Sequence, residues 1–122
     1  MKKLTKEDIM KGKDSREPLH IDSYDADVVI RPLTDGELSK IFAIIGSIPL
    51  NNDGTPDTGK VDIIKNFEAL RLTTSLGLVE PELTVEEVSE MKFGVPEFIG
   101  TRILEISGIS SSGVEAKKKS EN

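Results

Sequence analysis

The stretch Val28-Val29-Ile30-Arg31-Pro32-Leu33-Thr34-Asp35-Gly36-Glu37-Leu38-Ser39-Lys40-Ile41-Phe42 decides the fold, because the spacing of its apolar residues changes within it. Up to Leu33 the period is two: Leu19 and Ile21 alternate with polar residues, Ser23 to Asp25 supply turn chemistry, and Val28 and Ile30 alternate again. This predicts a β-hairpin over 17–33. From Thr34 the signal is helical. Thr34-Asp35-Gly36-Glu37 fits a capping box, in which the hydroxyl accepts from the third helical amide and the glutamate reaches back to the cap amide. Leu38, Ile41, Phe42 and Ile45 then fall at i, i+3, i+4 and i+7, with Ile44 and Ile48 widening the stripe until Gly46 and Pro49 end it. A helix over 35–48, apolar on more than one face, is expected.

On the N-terminal side, Thr5 with Asp8 predicts a short capped helix that ends at Gly12, inside an arm spanning 1–16. On the C-terminal side, residues 49–59 consist almost wholly of turn formers and read as a surface loop. Val61, Ile64, Phe67, Leu70, Thr74 and Leu76 support a long helix over 60–76, stopped at Gly77. Leu78 to Leu83 reads as a connector around Pro81, and Thr84 with Glu87 makes another capping box for a helix over 85–91. Pro96 suits a first helical turn, and Phe98, Ile99, Ile103 and Ile106 extend the last stripe, giving a helix over 96–107 with Gly108 at its C′ position. Beyond it, 109–122 is too polar to repay the entropy of ordering and is expected to be a disordered tail. The architecture predicted is α+β, mainly α: an N-terminal hairpin and about four helices in one domain over 17–108.

The chain has 122 residues, 36% of them hydrophobic, with no Trp and no Cys, so its core must be aliphatic and neither a disulfide nor a thiolate zinc site is open to it. The net charge is −6, but residues 17–116 carry 7 Lys/Arg against 18 Asp/Glu, a balance of −11. Such a body repels phosphate backbones, so no nucleic-acid partner is expected. The longest apolar run, Ile41 to Ile45, is far too short to span a bilayer, and no apolar segment follows the basic start, so no membrane partner is expected either.

Catalytic chemistry finds no foothold. The single histidine, His20, alternates with Leu19 and Ile21 and should face solvent. The serines lack a nucleophile elbow. Asn51-Asn52-Asp53-Gly54 hints at a calcium loop, but aligning Gly54 with the required glycine puts Pro49 at the first ligand and Lys60 at the bidentate Glu. Glu82, Glu86, Glu87 and Glu90 read as a solvated helix face that suits the dipole. A small hydrolase using Glu87 or Asp53 with His20 would need a concave site that these elements do not build. No enzyme and no cofactor are expected. The surplus of apolar residues over 38–50 instead suggests a protein-binding surface, or a helix buried all round.

Taken in order, Leu4-Thr5-Lys6-Glu7-Asp8-Ile9, Val29-Ile30-Arg31-Pro32-Leu33-Thr34 with Glu37, then Arg71-Leu72, Ser75-Leu76-Gly77-Leu78-Val79-Glu80-Pro81-Glu82-Leu83-Thr84, Glu87-Val88, Phe93-Gly94 and Ile106-Ser107-Gly108 form a recognisable succession. Over residues 4–108 it resembles the small tail assembly chaperones of long-tailed phages and prophages. The resemblance implies a protein that binds the tape measure protein in the host cytoplasm, keeps it soluble, helps the major tail protein assemble around it, and is absent from the mature virion. The rival expectation is a virion component such as a head-to-tail connector or neck protein. The expected contact or self-association residues are Leu38, Ile41, Phe42 and Ile45 on the first long helix and Phe98, Ile99 and Ile103 on the last.

Overall fold

The computed structural model describes residues 3–46, 51–54 and 62–109. In chain order these form α1 (Lys6–Lys11), β1 (Glu17–Ile21), β2 (Ala26–Ile30), α2 (Asp35–Ile45), α3 (Ile63–Gly77), β3 (Leu78–Glu80), α4 (Val85–Val88) and α5 (Val95–Ile106). The fold is α+β, mainly α.

Local chemistry explains most boundaries. Capping boxes open α1 at Thr5 with Asp8, α2 at Thr34 with Glu37, and α4 at Thr84 with Glu87. β1 and β2 pair antiparallel with Leu19 opposite Val28 and Ile21 opposite Ala26, joined by a tight turn over Asp22–Tyr24 and by Asp25 at φ 47. The hairpin turns Ile21 and Ile30 into the core and His20 and Asp27 to solvent. At the far end, Gly108 takes φ 98, its amide donates to the Glu105 carbonyl, and the Ile109 amide donates to the Leu104 carbonyl at 2.8 Å, closing α5 in a Schellman motif.

The structure corrects several expectations. Leu78–Glu80 is not a plain connector: it adds a third antiparallel strand, with Ile30 opposite Leu78 and Val29 opposite Glu80 across a register irregularity. Three residues were too few to read by periodicity, and the Arg31 amide bonding the Gly77 carbonyl at 3.0 Å, a tertiary contact, leads the strand in. Gly77 does not stop α3 by a left-handed turn. It is the last helical residue, and a Cβ there would lie 2.5 Å from Ile103. α2 ends at Ile45, because Gly46 swings to φ 75. α3 is capped by the Asp62 carboxylate, which accepts from the Ile64 and Lys65 amides at 2.8 and 3.3 Å. α4 is a single turn whose continuation to Met91 is made of tighter i→i−3 bonds. Of the 49–59 loop, Asn51–Gly54 is described and forms a turn, with the Gly54 amide donating to the Asn51 carbonyl. The remainder of that loop, and residues 110–122 of the expected tail, lie outside the described residues.

α3 runs through the centre, and its most extensive contact is with α5. Its buried face is made of Ala69, Thr73, Thr74 and Gly77, whereas Ile63 and Ile64 of its first turn are 66% and 65% exposed. Small side chains let α5 approach closely, and the two threonine hydroxyls are satisfied inside the helix pair. Thr73 donates to the Ala69 carbonyl at 2.8 Å, and Thr74 Oγ1 lies 2.8 Å from the Leu70 carbonyl and 2.7 Å from that of Pro96 on α5. Thr74→Val keeps the shape but removes the donor that Pro96 faces. It is expected to cost about 1 kcal/mol in urea unfolding, since the buried Pro96 carbonyl loses the hydrogen bond that joins it to α3.

An ion pair locks the junction between hairpin and α2. Arg31 grips Glu37 through two bonds, 2.9 and 2.7 Å, with both side chains 20% exposed. The same carboxylate accepts from the Thr34 amide at 2.9 Å. Hydrogen bonding by Arg31, then by the Thr34 backbone, together with the guanidinium charge, lowers the Glu37 pKa to about 2 against burial, which opposes the shift. An unfolded Glu protonates near 4.5. The pair's contribution is therefore whole above that pH and disappears as pH falls from 4.5 through about 2. Glu37→Gln should cost about 2 kcal/mol at neutral pH, between the values for exposed and buried pairs, and the difference from the parent should vanish by about pH 2 in acid-titrated urea melts.

Candidate protein-binding surface

The core consists of aliphatic residues: Ile21, Ile30, Leu33, Ile41, Leu78, Val88, Val95, Ile99 and Ile103, with Ala69. None of the five aromatic residues is in it. Phe67 is half-buried, and Tyr24, Phe42, Phe93 and Phe98 are 45%, 43%, 93% and 52% exposed. Burying a Phe side chain is worth ~1.5–3 kcal/mol, so a folding requirement alone would draw these rings inward.

Of the expected contact residues, the structure brings only some to the surface. Ile41, Ile99 and Ile103 are 1%, 0% and 0% exposed, because α2 and α5 turn them onto α3 and the sheet; they are core and meet no partner in this conformation. Leu38 and Ile45 are half-buried against that core. Phe42 and Phe98 are accessible. Sequence reasoning passed over Phe93, Ile63 and Ile64 as surface residues. Phe93 carried a signal, an aromatic placed between Lys92 and Gly94 with no periodic partner on either side.

Among the described residues, the exposed aliphatic and phenylalanine side chains fall into three zones along the chain. Phe42 on α2 and Ile63 and Ile64 on α3 flank the connection between those helices. Leu4, Ile9 and Met10 belong to the N-terminal arm, where Ile9 and Met10 line a groove of about 420 Å³ with Leu33 and Ile106. Phe93 and Phe98 line a depression of about 280 Å³ beside the hairpin turn, with Asp22, Ser23 and Val95. Polar contacts tie the segment before this third zone to the hairpin turn. The Lys92 amide donates to the Tyr24 hydroxyl at 2.9 Å, Lys92 Nζ donates to the Ser23 carbonyl at 2.8 Å, and the ammonium lies 4.9 Å from the Tyr24 ring centroid.

His20 is on the solvent face, with Nδ1 2.7 Å from Asp27 and Nε2 3.4 and 3.8 Å from Asp22 and Asp25. Its partners thus belong to its own hairpin, whereas Glu87 closes the Thr84 cap at 2.9 Å. Among the described residues, no three His, Cys, Asp or Glu side chains are placed to hold a metal ion, and no helix is long and apolar enough to cross a membrane. Comparison with family models, with curated proteins and with solved structures returns no match for this chain.

Proposed function

We propose that this protein is a non-enzymatic assembly chaperone of the phage tail kind, which holds a long, apolar, helical client of the tape measure type in soluble form in the host cytoplasm. The observation that carries the reading is the exclusion of every aromatic side chain from the core, with Phe42, Phe93 and Phe98 left at the surface of an acidic body. Exposed aromatic and aliphatic groups cover apolar stretches of a client, while the body's net charge keeps the complex dispersed. The order and spacing of the segments from Leu4 to Gly108 support the same class. Holding of this sort needs no cofactor and no bond-making side chain.

Co-expression with the longest helical, apolar-rich reading frame encoded downstream tests the proposal. The client should move into the soluble fraction and co-elute in a complex that survives high salt. A client that stays insoluble and unbound, together with recovery of this protein from purified particles, would assign it instead to the virion as a connector or neck component.

A further inference from the structure

The chain holds two Asp-Gly pairs, Asp35-Gly36 and Asp53-Gly54. A glycine has no Cβ to shield its amide, so its nitrogen can approach the carboxyl carbon of the aspartate before it. Sequence ranks the two pairs together, and so does solvent access, because all four residues are exposed. Their backbones differ. Asp35 and Gly36 open α2, where the Thr34 hydroxyl accepts from the Glu37 amide at 3.3 Å and the Glu37 carboxylate accepts from the Thr34 amide at 2.9 Å. The Leu38 amide donates to the Thr34 carbonyl at 2.9 Å, and the Ser39 hydroxyl donates to the Asp35 carbonyl at 3.1 Å. Asp53 and Gly54 instead end a turn in which the Gly54 amide donates to the Asn51 carbonyl at 2.9 Å. Gly54 takes φ 87, and among the described residues no atom beyond its chain neighbours lies within 4 Å of the place a Cβ would occupy.

From this contrast we infer that Asp53 is a site of spontaneous isoaspartate formation and that Asp35 is protected from it. The Gly54 nitrogen attacks Cγ of the Asp53 carboxylic acid, an N–C bond forms, and the carboxyl hydroxyl leaves as water with the amide proton. Water then opens the cyclic imide. Opening at the former side-chain carbonyl restores aspartate, whereas opening at the main-chain carbonyl leaves Gly54 joined through Cγ. Ring closure requires the peptide plane between the two residues to turn until the glycine nitrogen faces Cγ. At Asp35 that plane carries the carbonyl bonded by Ser39, and turning it unwinds a first turn braced by the capping box and by the grip of Arg31 on Glu37. At Asp53 it releases the Gly54 amide from Asn51 and disturbs no helix. The isoaspartyl linkage lengthens the connection between α2 and α3 by one main-chain carbon at unchanged mass. The inference rests on backbone chemistry and stands apart from the chaperone reading.

The test stores the full chain in mildly acidic buffer at physiological temperature, digests it, and separates peptides of equal mass by chromatography. An isoaspartyl peptide elutes apart from its aspartyl parent and accepts a methyl group from S-adenosylmethionine through an isoaspartyl methyltransferase. The isomer should accumulate at Asp53, and at Asp35 about tenfold more slowly, equivalent to ~1.4 kcal/mol on the barrier. In concentrated urea, with α2 unfolded, the two rates should converge. Gly54→Ala should slow the reaction at Asp53 several-fold, and Asp53→Glu should abolish it, since glutamate would have to close a larger ring. Both changes lie in an exposed turn, and an unchanged melting temperature confirms that the fold is kept. Equal rates at Asp35 and Asp53 in the folded chain overturn the inference. So does the absence of isomer at Asp53 in the folded chain, whether or not it forms in urea, because the turn then protects the pair as the helix does. A Gly54→Ala rate equal to the parent's overturns attack by that amide.

Discussion

Replacing Gly100 with alanine is expected to lower stability by about 3 kcal/mol, in the upper range for overpacking a tight interior, and the melting temperature by roughly 15 °C. Helix propensity points the other way, since alanine in a helix interior gains ~1 kcal/mol over glycine. Tertiary packing reverses the sign. A Cβ at Gly100 would lie 2.8 Å from the Leu70 carbonyl oxygen, 3.1 Å from Thr74 Oγ1 and 3.2 Å from Leu70 Cδ2. The first of these is backbone and does not rotate away, so α5 must lift off α3. That displacement also stretches the 2.7 Å bond from Thr74 to the Pro96 carbonyl. Gly36→Ala provides the control: it is exposed near the start of α2 with nothing within 4 Å of an added Cβ, and it should be neutral or slightly stabilising. Thermal melts of the two variants decide the matter. A Gly100→Ala protein as stable as the parent would mean that the two helices do not pack at this distance.

Ile41→Ala and Phe42→Ser, adjacent on α2, are expected to separate core from surface. Ile41 is 1% exposed and lies in the central cluster, so its truncation leaves a cavity and should cost about 3.5 kcal/mol, within the range for large-to-small core changes. Against a total stability of ~5–15 kcal/mol, that loss lowers the soluble yield of the protein itself. Phe42 is 43% exposed, and Phe42→Ser should cost under ~1 kcal/mol while reducing any contact the α2 to α3 end makes with a client. Denaturant unfolding measures the first effect, and client retention at constant fold measures the second. Equal stability losses at the two positions would place Phe42 in the core as well, and would remove that end of the molecule from the candidate surface.

The contrast between those neighbours shows why the sequence-based surface was partly misplaced. Leu38, Ile41, Phe42 and Ile45 share one helical stripe, and hydropathy does not rank them. Burial depends on where α3 lies across the stripe. α3 illustrates the same point more strongly: its large apolar residues Ile63 and Ile64 stand outside, while the buried face is Ala69, Thr73, Thr74 and Gly77. A reading by hydrophobicity favours the former because it weighs side-chain size, whereas close helix approach favours the latter because backbone proximity excludes size.

What the sequence determined by itself is local. Capping chemistry at Thr5, Thr34 and Thr84, period-two alternation in 17–33, and Gly108 after the last apolar stripe each act within a few residues, so the hairpin and the starts of three helices were legible from the chain alone. Only the tertiary structure decided the third strand, the glycine contacts between α3 and α5, and the exile of the aromatic rings. Each of these rests on which distant segments meet. Gly100 is needed because Leu70 is opposite it, Leu78–Glu80 is a strand because Val29 and Ile30 offer it an edge, and Phe93 is exposed because, among the described residues, no element packs over its turn. Nothing in residues 93 to 100 records those neighbours, since such contacts are properties of the packed chain and not of its local pattern.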